Sequence, residues 1–202
     1  MRKCAMLLMD STPLIFLAKI GRLELLLEFN LPIYLPQEVL FEVTEKQAFE
    51  NNRKQNDEEL MILNFIRHHQ ANGTIFVIKT IVCEIAEKKR SENPGYRSKG
   101  DGEVAANSLF LNRYEYGING PALLLYEDAD IEVVFNRNDV HFLTTYAALV
   151  AMEKIHVIES ADAEWEALCK VYQEKNHQAL PRRPVDRSNR GDTEYQSKIR
   201  RR

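Results

Sequence analysis

Leu7-Leu8-Met9-Asp10-Ser11-Thr12-Pro13-Leu14 is the stretch from which the fold is read. The apolar run from Cys4 to Met9 is too short for a helix and predicts a buried strand. Ser11 and Thr12 are good N-cap residues and Pro13 suits a first helical turn, so a helix is expected directly after Asp10, running toward Gly21. In an open parallel sheet, ligands bind beyond the carboxyl ends of the strands. A carboxylate at Asp10 would face that crevice. The plainer reading is that Asp10 only helps cap the helix. Further acids at equivalent places would decide between the two.

The rest of the chain alternates in the same way. Short helices are expected over Leu23 to Phe29 and Leu60 to Ile66, strands over Ile33 to Leu35 and Thr74 to Ile78, and a helix over Ile81 to Lys89. Pro36 opens a helix whose apolar stripe is Val39, Leu40 and Val43, with Glu38, Glu42 and Glu45 together on another face. Glu45 to Glu59 is polar and reads as an exposed loop or fraying helix end, and Ser91 to Gly102 as a loop rich in Pro and Gly. Asp101-Gly102-Glu103 starts a helix that carries Leu109 and Phe110 into the core. Ala122 to Tyr126 is a continuous apolar strand that ends on Glu127, Asp128 and Asp130. It is the second strand to terminate in carboxylates. A short helix to Phe135, a strand over Val140 to Leu143 and helices over Ala147 to Met152 and Ala163 to Glu174 complete the pattern.

This alternation predicts an α/β protein, a three-layer α/β/α sandwich with a mostly parallel central sheet. Its 202 residues, 45% of them hydrophobic, suit one domain, placed at 1–180 and followed by a basic tail at 181–202. That tail holds eight basic and three acidic residues, so the net charge of −3 conceals a body more acidic still. An acidic body argues against a broad nucleic-acid-binding face but suits a carboxylate cluster around a divalent cation. No apolar run approaches the roughly 18 residues of a membrane helix. With no leader evident after Met1-Arg2-Lys3, a cytoplasmic protein that does not engage membranes is expected. Cys4, Cys83 and Cys169 are odd in number and widely spaced, which argues against a disulfide scaffold or zinc site.

On this topology Asp10 and Asp128 end strands, while Glu42 and Glu103 sit on helices able to border the same crevice. Four crowded carboxylates repel one another unless a cation intervenes. Mg²⁺ or Mn²⁺, bound by hard oxygens, is the natural remedy, and phosphodiester hydrolysis the chemistry it favours.

The segments Leu8 to Gly21, Leu35-Pro36 with Val39, Glu42 and Val43, Gly102-Glu103 with Ala106, and Leu124 to Asp128 resemble, in order, the motifs of PIN-domain ribonucleases, including VapC-type toxins. The resemblance implies divalent-metal-dependent cleavage of RNA, frequent homodimers and, in the toxin branch, an antitoxin protein that occupies the site. Carried over, Asp10, Glu42, Glu103 and Asp128 would be the catalytic, metal-binding acids, with Ser11 or Thr12 orienting Asp10 or a water. Asp101 is an alternative to Glu103, and Glu127 or Asp130 to Asp128. The contrasting expectation is a catalytically silent PIN-like module that binds RNA or protein.

Overall fold

The computed structural model describes residues 4–46, 51, 54–93, 96, 100–128, 131–135 and 139–174. Asp130 and the basic tail therefore lie outside the described residues. The chain divides into two compact units, one ending at Thr145 and the other beginning at Tyr146.

The first unit is built on β1, Met6–Met9, whose four residues are buried to within 1%. Continuous apolar content on both faces is what a strand flanked by helices on each side requires. β2 (Ile33–Pro36), β3 (Ile75–Ile78), β4 (Ala122–Tyr126) and β5 (Val140–Thr144) join it in the order β3-β2-β1-β4-β5, and every pairing is parallel. The expected mostly parallel sheet is thus wholly parallel among the described residues. Pro36 donates no ladder bond, yet it is tolerated because β1 pairs only with Ile33 and Tyr34 of β2.

Side chains alternate across the sheet, and in-register neighbours share a face. Met6, Leu8, Ala122, Leu124 and Tyr126 form one face, covered by α5 (Asp101–Leu111) and α6 (Ile131–Val134) through Ala106, Leu109, Phe110 and Ile131. α1 (Ser11–Lys19) meets β4, and α3 (Asp57–Ala71) meets β3 and also packs on α1. α2 (Gln37–Thr44) packs against α5, α3 and α4 (Ile81–Glu92).

Several boundaries differ from expectation. α3 starts at Asp57 rather than Leu60 because Asn56 and Glu59 form a reciprocal capping box, with bonds of 2.8 and 2.7 Å. α4 continues to Glu92, and a 3₁₀ turn at Arg113–Tyr116 follows α5. That turn is anchored by buried Arg113, which lies over the Phe110 ring and donates to the carbonyls of Phe110 and Gly120.

The second unit continues α7 (Thr145–Lys154) and contains α8 (Ala161–Glu174). α8 begins two residues before the expected Ala163 because the Glu153 carboxylate accepts from the Ala161 amide and Ser160 Oγ from the Ala163 amide. Tyr146 bonds Asp162 at 2.7 Å and meets the Trp165 ring edge to face.

Leu8 has no exposed surface and lies on the central strand beneath α5. Leu8→Ala is expected to lower stability by about 2–5 kcal/mol, since transfer and cavity costs add at a site that cannot collapse. Urea unfolding checks this.

Candidate functional site

The chain leaves β1 toward β2 and β3 on one side, and later toward β4 and β5 on the other. The order therefore reverses between β1 and β4, where the two connecting segments diverge and open a crevice at the carboxyl ends. Asp10 stands there. Its amide donates to Leu125 O at 3.0 Å, extending the β1–β4 ladder by one residue, and the residue is 6% exposed.

Asp10 occupies the N-cap position of α1, but its side chain makes no capping bond. Capping alone therefore does not account for it. Burial pushes its carboxyl above the ordinary Asp value, and the negative charge of Asp128 adds to that. The nearby Ser11 and Thr12 amides and the Ser11 hydroxyl pull the other way. Ser11 Oγ donates to Asp10 Oδ1 at 3.4 Å, long for a hydroxyl donor and hence weak.

The face of α2 predicted from Glu38, Glu42 and Glu45 divides: Glu38 is buried, the Glu42 side chain is 11% exposed, and Glu45 is exposed. Burial pushes Glu42 up to about 7. Lys46, 4.0 Å away, opposes this, whereas the charges of Asp10 and Glu38 reinforce it. One lysine at the limit of ion-pair distance does not neutralise the group.

Gly102 opens α5 against this carboxylate, its amide donating to Glu42 Oε1 at 3.3 Å. A Cβ at Gly102 would stand 2.9 Å from Glu42 Cδ, so only glycine leaves the carboxylate where it is. Gly100 supports the same approach with a left-handed φ of +76° at the N-cap.

The alternative acids make different contacts. Glu127 accepts from the Thr145 amide at 2.8 Å, at the start of α7. Asp128 is exposed and is the acid whose charge Asp10 feels. Asp101 accepts from the Tyr96 hydroxyl at 2.7 Å, while Glu103 is half-buried on the first turn of α5. Asp10, Glu42 and Asp128 thus lie within electrostatic reach through Asp10, and Glu103 lies beside the glycine that meets Glu42. Thr12 contributes its amide. The Arg90–Glu38 pair beneath this face gave no local signal in the sequence, because its members are 52 residues apart.

Among the described residues, no three His, Cys, Asp or Glu side chains stand close enough to hold a cation as they are. The donor chemistry nevertheless fits one. Two buried carboxylates of like charge, both with raised proton affinity, are relieved either by a proton or by a hard divalent cation.

Residues 6–93 match the DUF3368 family model, a PIN domain. PIN domains are generally nucleases and usually use divalent metals. The matched segment runs from β1 into the end of α4 and contains Asp10 and Glu42; Glu103 and Asp128 follow it. No curated protein and no solved structure matches the chain.

The Glu42 shift has a defined consequence for stability. Between the ordinary value of 4.5 and about 7, the folded chain keeps a proton that the unfolded chain has released. Stability therefore falls as pH rises through that window and levels off above it, by on the order of 3 kcal/mol. Asp10 adds in the same direction. In metal-free buffer the unfolding midpoint should drop between pH 5 and pH 8 for the wild type, and by less for Glu42→Gln. Equal pH dependence of the two proteins contradicts this.

Proposed function

Taking as premise that the chain carries a PIN domain, we propose that it is a divalent-metal-dependent endoribonuclease acting through Asp10, Glu42, Glu103 and Asp128. The reading is supported above all by the place of Asp10, a desolvated carboxylate at the reversal of the sheet that feels the charge of Asp128 and whose own charge acts on Glu42.

Mg²⁺ or Mn²⁺ held by these four acids would supply Lewis-acid polarisation of the phosphate and a lowered proton affinity for water. The chain supplies the rest. The Ser11 hydroxyl makes a weak bond to the Asp10 carboxylate, and the Gly102 amide orients Glu42. Glu42, poised near neutrality, exchanges its proton for a cation at little cost. The acidic body keeps RNA from adhering broadly, so the substrate phosphate is recognised only where cations offset the carboxylates. Water adds to phosphorus, the P–O bond to the leaving nucleoside breaks, and the leaving oxygen takes up a proton. No covalent enzyme intermediate is required, since no nucleophile and base stand together among these residues.

Likeness of the opening motif to VapC-type toxins supports a finer form of this reading: a cytoplasmic, dimeric toxin whose antitoxin covers the acids. One observation favours the second reading, a silent RNA- or protein-binding module, namely the lack of a preassembled three-residue cluster among the described residues. A Mn²⁺ titration separates the two, because a silent module gains neither cleavage nor thermal stability from the ion.

Asp10→Asn is expected to abolish Mn²⁺-dependent cleavage of single-stranded RNA while retaining the fold, seen as an unchanged far-UV CD spectrum and a cooperative thermal transition. Cleavage by this variant at the wild-type rate would refute the assignment.

A further inference from the structure

We propose that Arg90 is a positioning residue for the acidic site: by gripping Glu38 it fixes the rotation of α2 and keeps Glu38 out of the set of carboxylates that meets the cation. The inference rests on the metal-dependent reading above and adds to it the device that selects one glutamate from two.

Glu38 and Glu42 lie one helical turn apart on the same face of α2, and both are withdrawn from water. Left alone, either could turn toward a cation. Arg90, in the last turn of α4, meets both oxygens of Glu38: Nη1 bonds Oε1, and Nη2 bonds Oε2 at 3.0 Å. Its guanidinium also lies 3.9 Å from the centre of the Phe41 ring on α2. A planar fork on a carboxylate combined with stacking on a ring leaves little rotational freedom, a geometry an ammonium cannot reproduce.

A second tie from the same helix lies beside it. Glu87, three residues before Arg90, accepts from Gln37 at 2.6 Å and from Lys79 at 2.6 Å. Consecutive residues of α2 are therefore held by one face of α4. The charge of Asp101, at the start of α5, also acts on Arg90, and Asp101 is bonded by Tyr96. Arg90 thus bears on both elements whose meeting at Gly102 places Glu42.

Net stability does not explain such a pair. Removing two charges from water costs about as much as their attraction returns, and a buried ion pair is better evidence of register than of strength. Here the register concerns which glutamate of α2 faces Gly102 and Asp10.

The test uses the full chain and the variants Arg90→Lys and Arg90→Gln, with two readouts in Mn²⁺ titrations: the rise in unfolding temperature without RNA, and the rate of single-stranded RNA cleavage below each variant's transition. Both variants are expected to raise the half-saturating Mn²⁺ concentration roughly tenfold, because an α2 free to rotate no longer holds Glu42 against Gly102, and Arg90→Lys should not rescue. A merely structural role lowers the unfolding temperature but leaves half-saturation unchanged. An unchanged Mn²⁺ requirement in a folded Arg90→Lys chain, or failure of both variants to fold, overturns the proposal. Wild type that binds Mn²⁺ without cleaving RNA would refute the nuclease reading while leaving this one standing, and wild type that binds no Mn²⁺ would refute both.

Discussion

A carboxylate without water is the constraint around which this structure is arranged. Asp10 closes a strand with essentially no exposed surface, and the ladder to β4 carries one residue past the strand to hold its backbone there. The side chain cannot retreat into solvent, and it accepts no capping hydrogen bond from the helix that follows it. Its surroundings must therefore lower the cost of that charge, and they do so only in part. Amides from the first turn of α1 help, whereas Asp128 makes matters worse. A scaffold selected for stability alone would place an apolar or amide side chain at this point.

The sheet order explains why Asp10 and Asp128 lie within electrostatic reach despite their distance along the chain. Reversal between β1 and β4 puts the ends of two central strands side by side, and each strand ends in acid. Glu42 arrives from a different direction, across the α2–α5 contact, through the one glycine that leaves room for it. Two independent features, a topological one and a steric one, thus set the positions of Asp10 and Glu42.

Much of this was legible in the chain. Apolar runs bounded by acids or turns marked β1 and β4, and β-branched enrichment marked β3. The periodicity of α2 placed Glu38 and Glu42 together but could not say which would be tied down, because the answer lies with Arg90, 52 residues from Glu38. Local signals can also be misread: Asn56 and Glu59 carry the spacing of a capping box, yet the surrounding polarity suggested a loop. The anchoring of Arg113 by carbonyls at Phe110 and Gly120 was invisible for a further reason, since backbone acceptors leave no mark on composition.

The doubled acids share a division of labour that neither composition nor spacing reveals. Glu127 is bound to the Thr145 amide, and its neighbour Asp128 is the one Asp10 feels. Glu38 is gripped by Arg90, and Glu42, one turn on, meets Gly102. Asp101 takes the Tyr96 hydroxyl, two residues from Glu103. In the first two cases an acid bonded to the scaffold stands close to one within electrostatic reach of Asp10. Burial raises the proton affinity of Asp10 and Glu42.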